Sequence, residues 1–279
     1  MGKVKNKIAV VTGGGSGIGA ALCVELATSG ARAVHVVDIN SDAASRVASS
    51  LATIATHPTF QYGFDAADVG NEYNIKRVIN SAWSRYGRID IYFSNAGIFA
   101  LGGIAEDEYA NEEWEKIWRI NVMSHIYAAR SLFPLWKTNN HREGIFVVTA
   151  SAAGLLAQIG SLPYHVTKHS AVSIADWLAI SFRQDGVSVH CLCPQAVKTN
   201  MLKTIESISE GGPAGLDGIA DPKEVALVTL KAIKDGHFLI LPHPEVKKYF
   251  ARKSTDYDRW IRGMEKVHRQ YYGCMKSKL

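Results

Sequence analysis

The residues best suited to proton transfer are Tyr164 and Lys168, which lie four positions apart. On a helix this spacing places both side chains on one face, so the Lys168 ammonium can sit near the Tyr164 hydroxyl. A free tyrosine has a pKa of about 10, and lowering that pKa to about 7 requires roughly 4 kcal/mol of preferential phenolate stabilisation. A fixed cation supplies part of it. The pair alone is more often an ordinary surface contact, so the other motifs decide.

A hydroxyl group accompanies this pair. Ser151 precedes Tyr164 by thirteen residues and stands just past the apolar run at 145–149. A hydroxyl in that place can donate a hydrogen bond to a substrate oxygen on which charge develops. The alternative is a solvated serine at the end of a strand. Together with Tyr164 and Lys168, it indicates a site for general acid–base chemistry.

A glycine-rich turn, TGGGSGIG, occupies positions 12–19. It follows an apolar run at 7–11 that is typical of a strand, and a helical pattern begins at Ala20. In this context glycines let the backbone approach a pyrophosphate closely, and the helix N-terminus favours its negative charge. The alternative is a plain tight turn. The arrangement predicts a dinucleotide-binding site.

Asp38 ends the second predicted strand, 19 residues beyond Gly19. An acidic residue at that distance can bind the ribose hydroxyls of an adenosine group, and its charge would repel a 2′-phosphate. Ser16, Ile39 and Asn40 offer no cation to compensate, and Arg32 precedes the strand. The sequence therefore favours NAD over NADP.

Strand-like and helix-like segments alternate along the chain. Strands are predicted at 7–11, 33–37, 60–64, 89–93, 145–149, 187–193 and 238–241, and helices at 20–30, 41–54, 71–86, 111–136, 163–184 and 222–234. The polar stretch 194–218 is predicted to be a mobile loop with a short helix. This order indicates an α/β fold of the Rossmann type: a doubly wound, mostly parallel seven-stranded sheet with helices on both faces.

Polar and turn-forming residues follow the predicted strands where each one ends. They are Thr12, Asp38, Asp68, Asn95, Ser151 and Pro194. Ligands in such folds bind at the carboxyl ends of the strands. We therefore expect these residues to share one cleft.

These motifs resemble the classical short-chain dehydrogenase/reductase family over roughly residues 5–242, because they occur in the family's order and close to its spacings. The matching elements are Thr12–Gly19, Asp38, Asp68-Val69, Asn95-Ala96-Gly97, Asn121, Ser151, Tyr164 and Lys168. The resemblance implies that Ser151 holds the substrate oxygen and that Tyr164 transfers the proton. It implies that Lys168 holds the nicotinamide ribose and lowers the tyrosine pKa, and that Asn121 holds a water on the proton path.

The resemblance also implies a set of cofactor-binding residues and no metal. The alternative for Asp68 is a helix cap, and for Asn121 a helix-interior amide that bonds its own backbone. The implied set is Gly13, Ser16, Gly17, Ile18, Gly19, Asp38, Ile39, Asp68, Val69, Asn95, Ala96, Gly97, Tyr164, Lys168, Pro194, Val197 and Thr199.

The substrate side is less defined. Candidate pocket positions are Phe99, Ala153, Gln158, Met201 and Leu202, which follow strand ends or lie in the polar stretch. Most are apolar, so a lipophilic secondary alcohol or ketone is expected; the alternative is that several of them pack in the core. The family usually has Pro-Gly after the sixth strand, but this chain has Pro194-Gln195, which makes the local backbone less certain.

The net charge of +5 belongs to the C-terminal end. Residues 244–279 hold ten Lys/Arg and four Asp/Glu, so they carry +6 and the rest of the chain carries −1. An apolar stripe runs among these cations, at Tyr257, Trp260, Ile261, Met264, Val267 and Tyr271. We expect an amphipathic helix that packs on the body or on a second subunit. A lid near the pocket is the second interpretation, and contact with a membrane surface or nucleic acid a third.

The chain of 279 residues is 47% hydrophobic and 20% charged, which suits a large globular domain. We predict one catalytic domain at 1–243 with a helical extension at 244–279. The four cysteines show no metal spacing, and the N-terminal run has no signal-peptide pattern, which favours a cytoplasmic protein with free thiols. No run is apolar enough to span a membrane, and no nucleic-acid partner is expected.

The leading hypothesis is an NAD-dependent alcohol dehydrogenase or carbonyl reductase. By family resemblance it forms a homodimer or homotetramer through the helices at 121–136 and 163–184. A catalytically idle nucleotide sensor or scaffold is the alternative, but such proteins usually lose part of the serine–tyrosine–lysine set. A sugar-nucleotide epimerase or dehydratase would need a longer C-terminal domain and a different glycine spacing.

Overall fold

A computed structural model describes residues 3–104, 110–138, 143–205 and 215–272. Seven strands form one sheet in the order β3-β2-β1-β4-β5-β6-β7, and every neighbouring pair is parallel. The predicted α/β fold is confirmed. The strands are β1 (Ile8–Thr12), β2 (Ala33–Asp38), β3 (Gln61–Ala66), β4 (Ile91–Ser94), β5 (Gly144–Thr149), β6 (Val187–Leu192) and β7 (Leu239–Ile240).

Helices connect successive strands and cover both faces of the sheet. They are α1 (Gly17–Thr28), α2 (Ser41–Leu51), α3 (Glu72–Tyr86), α4 (Asn111–Trp118), α5 (Ser124–Thr138), α6 (Leu162–Phe182), α7 (Asn200–Ile205), α8 (Pro222–Asp235), α9 (Glu245–Thr255) and α10 (Tyr257–Tyr272). The predicted short helix in the polar stretch is α7, and positions 206–214 of that stretch lie outside the described residues. The side chains of Lys203, Thr204, Ile205, Tyr271 and Tyr272 are likewise not described.

The core lies on both sides of the sheet because successive strand residues point to opposite faces. In β1, Val10 belongs to the cluster with α3, α5 and α6, whereas Val11 belongs to the cluster with α1, α2 and α8. All five residues of β1 are buried. This double burial explains why the central strands are continuous apolar runs.

Two long helical patterns are interrupted. The predicted helix at 111–136 contains a π-helical turn, Arg119–Met123, between α4 and α5. The C-terminal pattern divides into α9 and α10 at Asp256, whose backbone is extended and whose carboxylate accepts a hydrogen bond from the Arg259 amide at 2.9 Å. Within the described residues, no helix has the length and apolar character needed to cross a bilayer.

Candidate active site

The glycine-rich turn joins β1 to α1 at the carboxyl end of the sheet. Gly13 adopts a positive φ of 64°, which glycine tolerates best. A Cβ at Gly19 would lie 2.0 Å from the Gly13 carbonyl oxygen, so only glycine permits this approach. The first turn of α1 receives no hydrogen bond from the side chain of its N-cap residue, Ser16. Its amide groups can therefore bind an anion.

Asp38 ends β2 beside this turn. One of its carboxylate oxygens accepts a hydrogen bond from the Gly15 amide, and the other accepts one from the Asn40 amide, both at 3.0 Å. A Cβ on Gly15 would lie 2.9 Å from the Asp38 carboxylate. The glycine turn and the acidic residue therefore form one unit, as the ribose site of a dinucleotide requires.

Asn95 ties three strand ends together. Its side-chain amide nitrogen donates a hydrogen bond to the Thr12 carbonyl at 2.9 Å, and its side-chain oxygen accepts one from the Thr149 hydroxyl at 3.1 Å. The Thr12 hydroxyl donates to the Phe93 carbonyl and accepts from the backbone amides of Asn95 and Ala96. These hydrogen bonds join the carboxyl ends of β1, β4 and β5 to one another.

Asp68 lies in an exposed turn before α3. Its carboxylate accepts a hydrogen bond from the Gly70 amide at 2.8 Å. The N-cap of α3 is Asn71, whose side chain accepts from the Tyr73 amide. Asp68 therefore stabilises the turn and is not the helix cap.

Ser151 follows β5 and begins a 3₁₀ turn, Ala152–Gly154. Its hydroxyl oxygen accepts a hydrogen bond from the Ala153 amide at 3.1 Å, and its proton points to the Pro194 carbonyl at 3.4 Å. The Pro194 carbonyl also accepts from the Ala152 amide at 2.8 Å. The ends of β5 and β6 are thus joined at Ser151.

Tyr164 lies in the first turn of α6, where the N-cap Ser161 accepts its backbone amide. Its ring packs edge-on against Phe99, with ring centres 5.0 Å apart. Burial raises the pKa of Tyr164 to about 12, although the neighbouring Ser151 hydroxyl works to lower it. Lys168 is not among the causes of this shift, so the expected lowering of the tyrosine pKa by that lysine stays a prediction.

Lys168 is buried beneath the tyrosine on the same face of α6. Its ammonium lies 5.5 Å from the centre of the Tyr164 ring and donates to the Thr149 carbonyl at 3.0 Å. Burial lowers the pKa of Lys168 to about 8. The spacing of four residues brings the pair together as predicted, but the lysine is fastened to β5.

Asn121 lies in the π-helical turn and is fully buried. Its oxygen accepts from the Ile98 amide at 2.8 Å, while its nitrogen donates to the Ile98 carbonyl and to the Thr167 hydroxyl. The side chain therefore positions the segment after β4 and does not bond its own helix. Its role towards a water remains a prediction.

One cavity of about 1490 Å³ runs along the carboxyl ends of the strands. Every cofactor-binding position expected from the sequence lines it. Of the expected catalytic residues, Ser151, Tyr164 and Lys168 line the cavity and Asn121 does not. The candidate substrate residues Phe99, Ala153, Gln158, Met201 and Leu202 line the same cavity. No cluster of three metal-ligating side chains occurs in the described ranges.

Gln195, the departure from Pro-Gly, forms a bracket between distant segments. Its side-chain nitrogen donates to one Asp217 oxygen at 3.1 Å, and the Tyr249 hydroxyl of α9 donates to the other at 2.8 Å. The Gln195 backbone amide donates to His243 Nδ1 at 3.2 Å, and His243 Nε2 donates to the Ala196 carbonyl. The glutamine thus fastens the end of β6 to the C-terminal segment.

The C-terminal helices form a wall of the cavity, where the second interpretation of the sequence, a lid near the pocket, placed them. Lys253 of α9 is buried and donates to the carbonyls of Leu155 and Leu156 at 2.9 and 2.6 Å. From α10, Trp260, Met264 and Val267 line the cavity. The apolar stripe at helical spacing was the available signal, but nothing in it specified which surface it covers.

Comparison with known proteins gives consistent matches. A family model described as short chain dehydrogenase matches residues 7–209. A meso-2,3-butanediol dehydrogenase of Serratia marcescens is 29% identical over 80% of this chain and 85% of that protein. Among solved structures, a short chain dehydrogenase/reductase from Burkholderia phymatum in complex with NAD is 25% identical with a TM-score of 0.79, covering 92% of this chain and 96% of that one. A 3-ketoacyl-(acyl-carrier-protein) reductase from Brucella melitensis complexed with NADH is 27% identical with a TM-score of 0.72, covering 85% and 96%.

Proposed function

The chain belongs to the short chain dehydrogenase family, and on that premise we propose that it is an NAD-dependent oxidoreductase interconverting a lipophilic secondary alcohol and its ketone. The observation that carries the proposal is the cavity that joins Asp38 and the glycine turn to Ser151, Tyr164 and Lys168. One end offers a dinucleotide site and the other an acid–base site with apolar walls. Both are required for hydride transfer at a carbon that bears a hydroxyl.

The residues present fit NAD. The uncapped first turn of α1 suits the pyrophosphate, and the Asp38 carboxylate suits the adenosine ribose. No cation among Ser16, Ile39 and Asn40 offsets the charge of Asp38 against a 2′-phosphate. Bound NAD supplies the hydride acceptor, and its oxidised ring adds a positive charge to the site.

In the oxidation direction, the Ser151 hydroxyl holds the alcohol oxygen by a hydrogen bond and Tyr164 accepts the alcohol proton. Lowering the tyrosine pKa from about 12 to about 7 requires roughly 7 kcal/mol of preferential phenolate stabilisation. The value of about 12 already includes the Ser151 hydrogen bond, and the buried Lys168 ammonium contributes part of the remainder. In the reverse direction, Tyr164 donates the proton to the ketone oxygen.

The chain also exposes a surface suited to self-association. On α6, Trp177 is 61% and Ile180 81% exposed. An apolar groove lies beside them between α5 and α6. Exposed apolar surface of this kind marks protein interfaces. We place a homodimer or homotetramer contact here.

A cytoplasmic location is proposed for the protein, because the buried thiols of Cys23, Cys191 and Cys193 are not joined in disulfides.

The decisive experiment is a panel of secondary alcohols, hydroxysteroids and aryl alcohols, assayed by NADH absorbance. Parallel reactions with NADP serve as the cofactor control. Turnover of a lipophilic alcohol with NAD is the expected result. Preference for NADP would overturn the argument from Asp38. Tight NAD binding with no turnover of any alcohol or ketone would favour the nucleotide-sensing alternative.

A further inference from the structure

We infer that α10 forms the distal wall of an extended substrate chamber, so the substrate is an alcohol or ketone with a long or multi-ring apolar body. This inference rests on the proposed function and specifies its substrate class. The distal wall is the cavity-facing side of α10: Trp260, Gly263, Met264 and Val267. These residues recur at intervals of three and four, so they share one helix face.

The position of α10 supports this assignment. Its cavity-facing apolar residues Trp260, Met264 and Val267 are half-buried, whereas Tyr257 and Ile261 on the same helix are 57% and 54% exposed. Trp260 also packs against the core cluster on the α6 side of the sheet. The apolar side of α10 therefore faces the space above Ser151 and Tyr164, and the helix turns its other side to solvent.

The wall is fastened to the rest of the site. Lys253, three residues before the break at Asp256, bonds the carbonyls of Leu155 and Leu156, and Leu156 itself lines the cavity. Tyr249, one turn earlier, is held by Asp217, which the Gln195 bracket joins to the end of β6. Both sides of the substrate chamber are thereby fixed relative to the catalytic serine.

The dimensions and lining of the cavity indicate the ligand class. Small-molecule and cofactor sites usually occupy about 300–1,000 Å³. The cavity here is about 1490 Å³, which exceeds that range, as expected of a site that holds a substrate beside a cofactor. Leu156, Ile159 and Met201 line the same cavity as the distal wall, so they supply further apolar side chains against which an apolar body would pack.

Gly263 permits a direct test. A Cβ added there meets no atom within 4 Å, so a larger residue fits on the helix and extends into the chamber. In Gly263→Leu, the helix gains propensity while the chamber loses space. We expect kcat/KM for 2-decanol, relative to 2-butanol, to fall about tenfold, because about two methylene groups lose their burial.

Met264→Ala is the second variant. It removes wall contact without filling space, and the same ratio should fall about threefold. Ile261→Ala is the matched control, since Ile261 lies on α10 but does not line the cavity. It should leave the ratio unchanged. A ratio unaffected by both Gly263→Leu and Met264→Ala overturns the distal wall.

Calorimetric titration of 2-decanone into the protein with NAD present gives a readout that needs no turnover. If wild-type protein binds 2-decanone and Gly263→Leu weakens that binding about tenfold, the chamber stands even where no alcohol is oxidised and the proposed function fails. Binding that is equally strong in both proteins overturns the chamber and leaves the proposed function in place.

Discussion

The two ends of the cavity are built in different ways. At the cofactor end, Thr12 and Asp38 end β1 and β2, and Asn95 follows β4. Thr12 and Asn95 bond each other's backbones, and the Asp38 carboxylate accepts a hydrogen bond from the Gly15 amide. At the substrate end, the links are long side chains that join segments far apart in sequence. Lys253 reaches Leu155 and Leu156, and Tyr249 reaches Asp217.

This difference follows from topology. Adjacent parallel strands bring their carboxyl ends together, so short motifs at those ends suffice to make a site. A chamber that lies above the sheet has no such scaffold and depends on loops and terminal helices. We therefore expect substitutions at the cofactor end to affect NAD binding and substitutions at the substrate end to affect substrate binding. Substitutions at the junction of the two ends, formed by Ser151, Tyr164 and Lys168, should affect catalysis.

The largest effect is expected at the junction. Tyr164→Phe removes the hydroxyl that we propose transfers the proton, and it should lower kcat by roughly 10²–10⁴-fold, the range of general acid–base catalysis. NAD affinity, measured by fluorescence titration, should change little, because the substitution keeps the aromatic ring and removes only the hydroxyl.

Tyr92→Phe is the matched control for this substitution. Tyr92 is fully buried in the core, does not line the cavity, and its hydroxyl has no hydrogen-bond partner in the part of the chain that is described. Its removal should leave kcat unchanged. Wild-type turnover in Tyr164→Phe would contradict the assignment of the base.

The next effect is expected at the cofactor end. Asp38→Asn weakens two hydrogen bonds that hold the glycine turn and removes the charge that disfavours a 2′-phosphate. Hydrogen bonds to a charged group are worth about 1.5–3 kcal/mol, so the Kd for NAD should rise roughly 10–100-fold. The preference for NAD over NADP should narrow in the same titrations.

Asp42→Asn changes an exposed carboxylate in the first turn of α2 and serves as the control. It should leave both dissociation constants unchanged. If the ratio of the dissociation constants for NAD and NADP stayed unaltered in Asp38→Asn, the charge of Asp38 would not be what sets the preference for NAD.

A third effect concerns the buried cation between the two ends. Burial lowers the pKa of Lys168 to about 8, whereas an unfolded lysine has a pKa of about 10.4. Between these values the unfolded chain binds more protons, so this residue makes the free energy of unfolding rise with pH. From pH 7 to 9.5 the gain should be about 2 kcal/mol.

Urea unfolding of wild-type protein and Lys168→Met at both pH values measures this contribution. The pH-dependent rise should be smaller by that amount in the variant, whatever its stability at pH 7. If the free energy of unfolding rose by the same amount between the two pH values in both proteins, the Lys168 ammonium would be solvated in the folded state.

The sequence was informative where local pattern determines structure. The glycine turn, Asp38 and the strand ends were located because apolar runs and glycines act over a few residues. The alternation of strands and helices predicted the sheet, although β7 is only two residues long and the helix at 111–136 contains a π-helical turn.

Features that depend on tertiary contacts were not predictable. The Gln195 bracket joins residues 22 and 48 positions away, at Asp217 and His243. The rise in the Tyr164 pKa results from burial, which no spacing of Tyr164 and Lys168 reveals. The apolar stripe of α10 predicted a helix correctly, but the stripe is compatible with a core, a partner or a substrate.

The smallest effect is expected at the substrate end, and it tests the contrast most directly. Lys253→Met keeps most of the length of the side chain but removes the donor to the Leu155 and Leu156 carbonyls. Burial lowers the pKa of Lys253, so the ammonium is itself costly to bury and its loss is partly compensated. We expect the free energy of unfolding to fall by only about 1–2 kcal/mol.

The kinetic consequence should be confined to the substrate. KM for a long alcohol should rise several-fold because the segment at 155–156, where Leu156 lines the cavity, loses its attachment to α9, while the Kd for NAD stays constant. Lys248→Met, on the exposed side of α9, provides the control and should change neither value. If Lys253→Met instead raised the Kd for NAD as much as Asp38→Asn does, the two ends would form one coupled unit, because loosening the C-terminal wall would then have reached the strand ends that hold the cofactor.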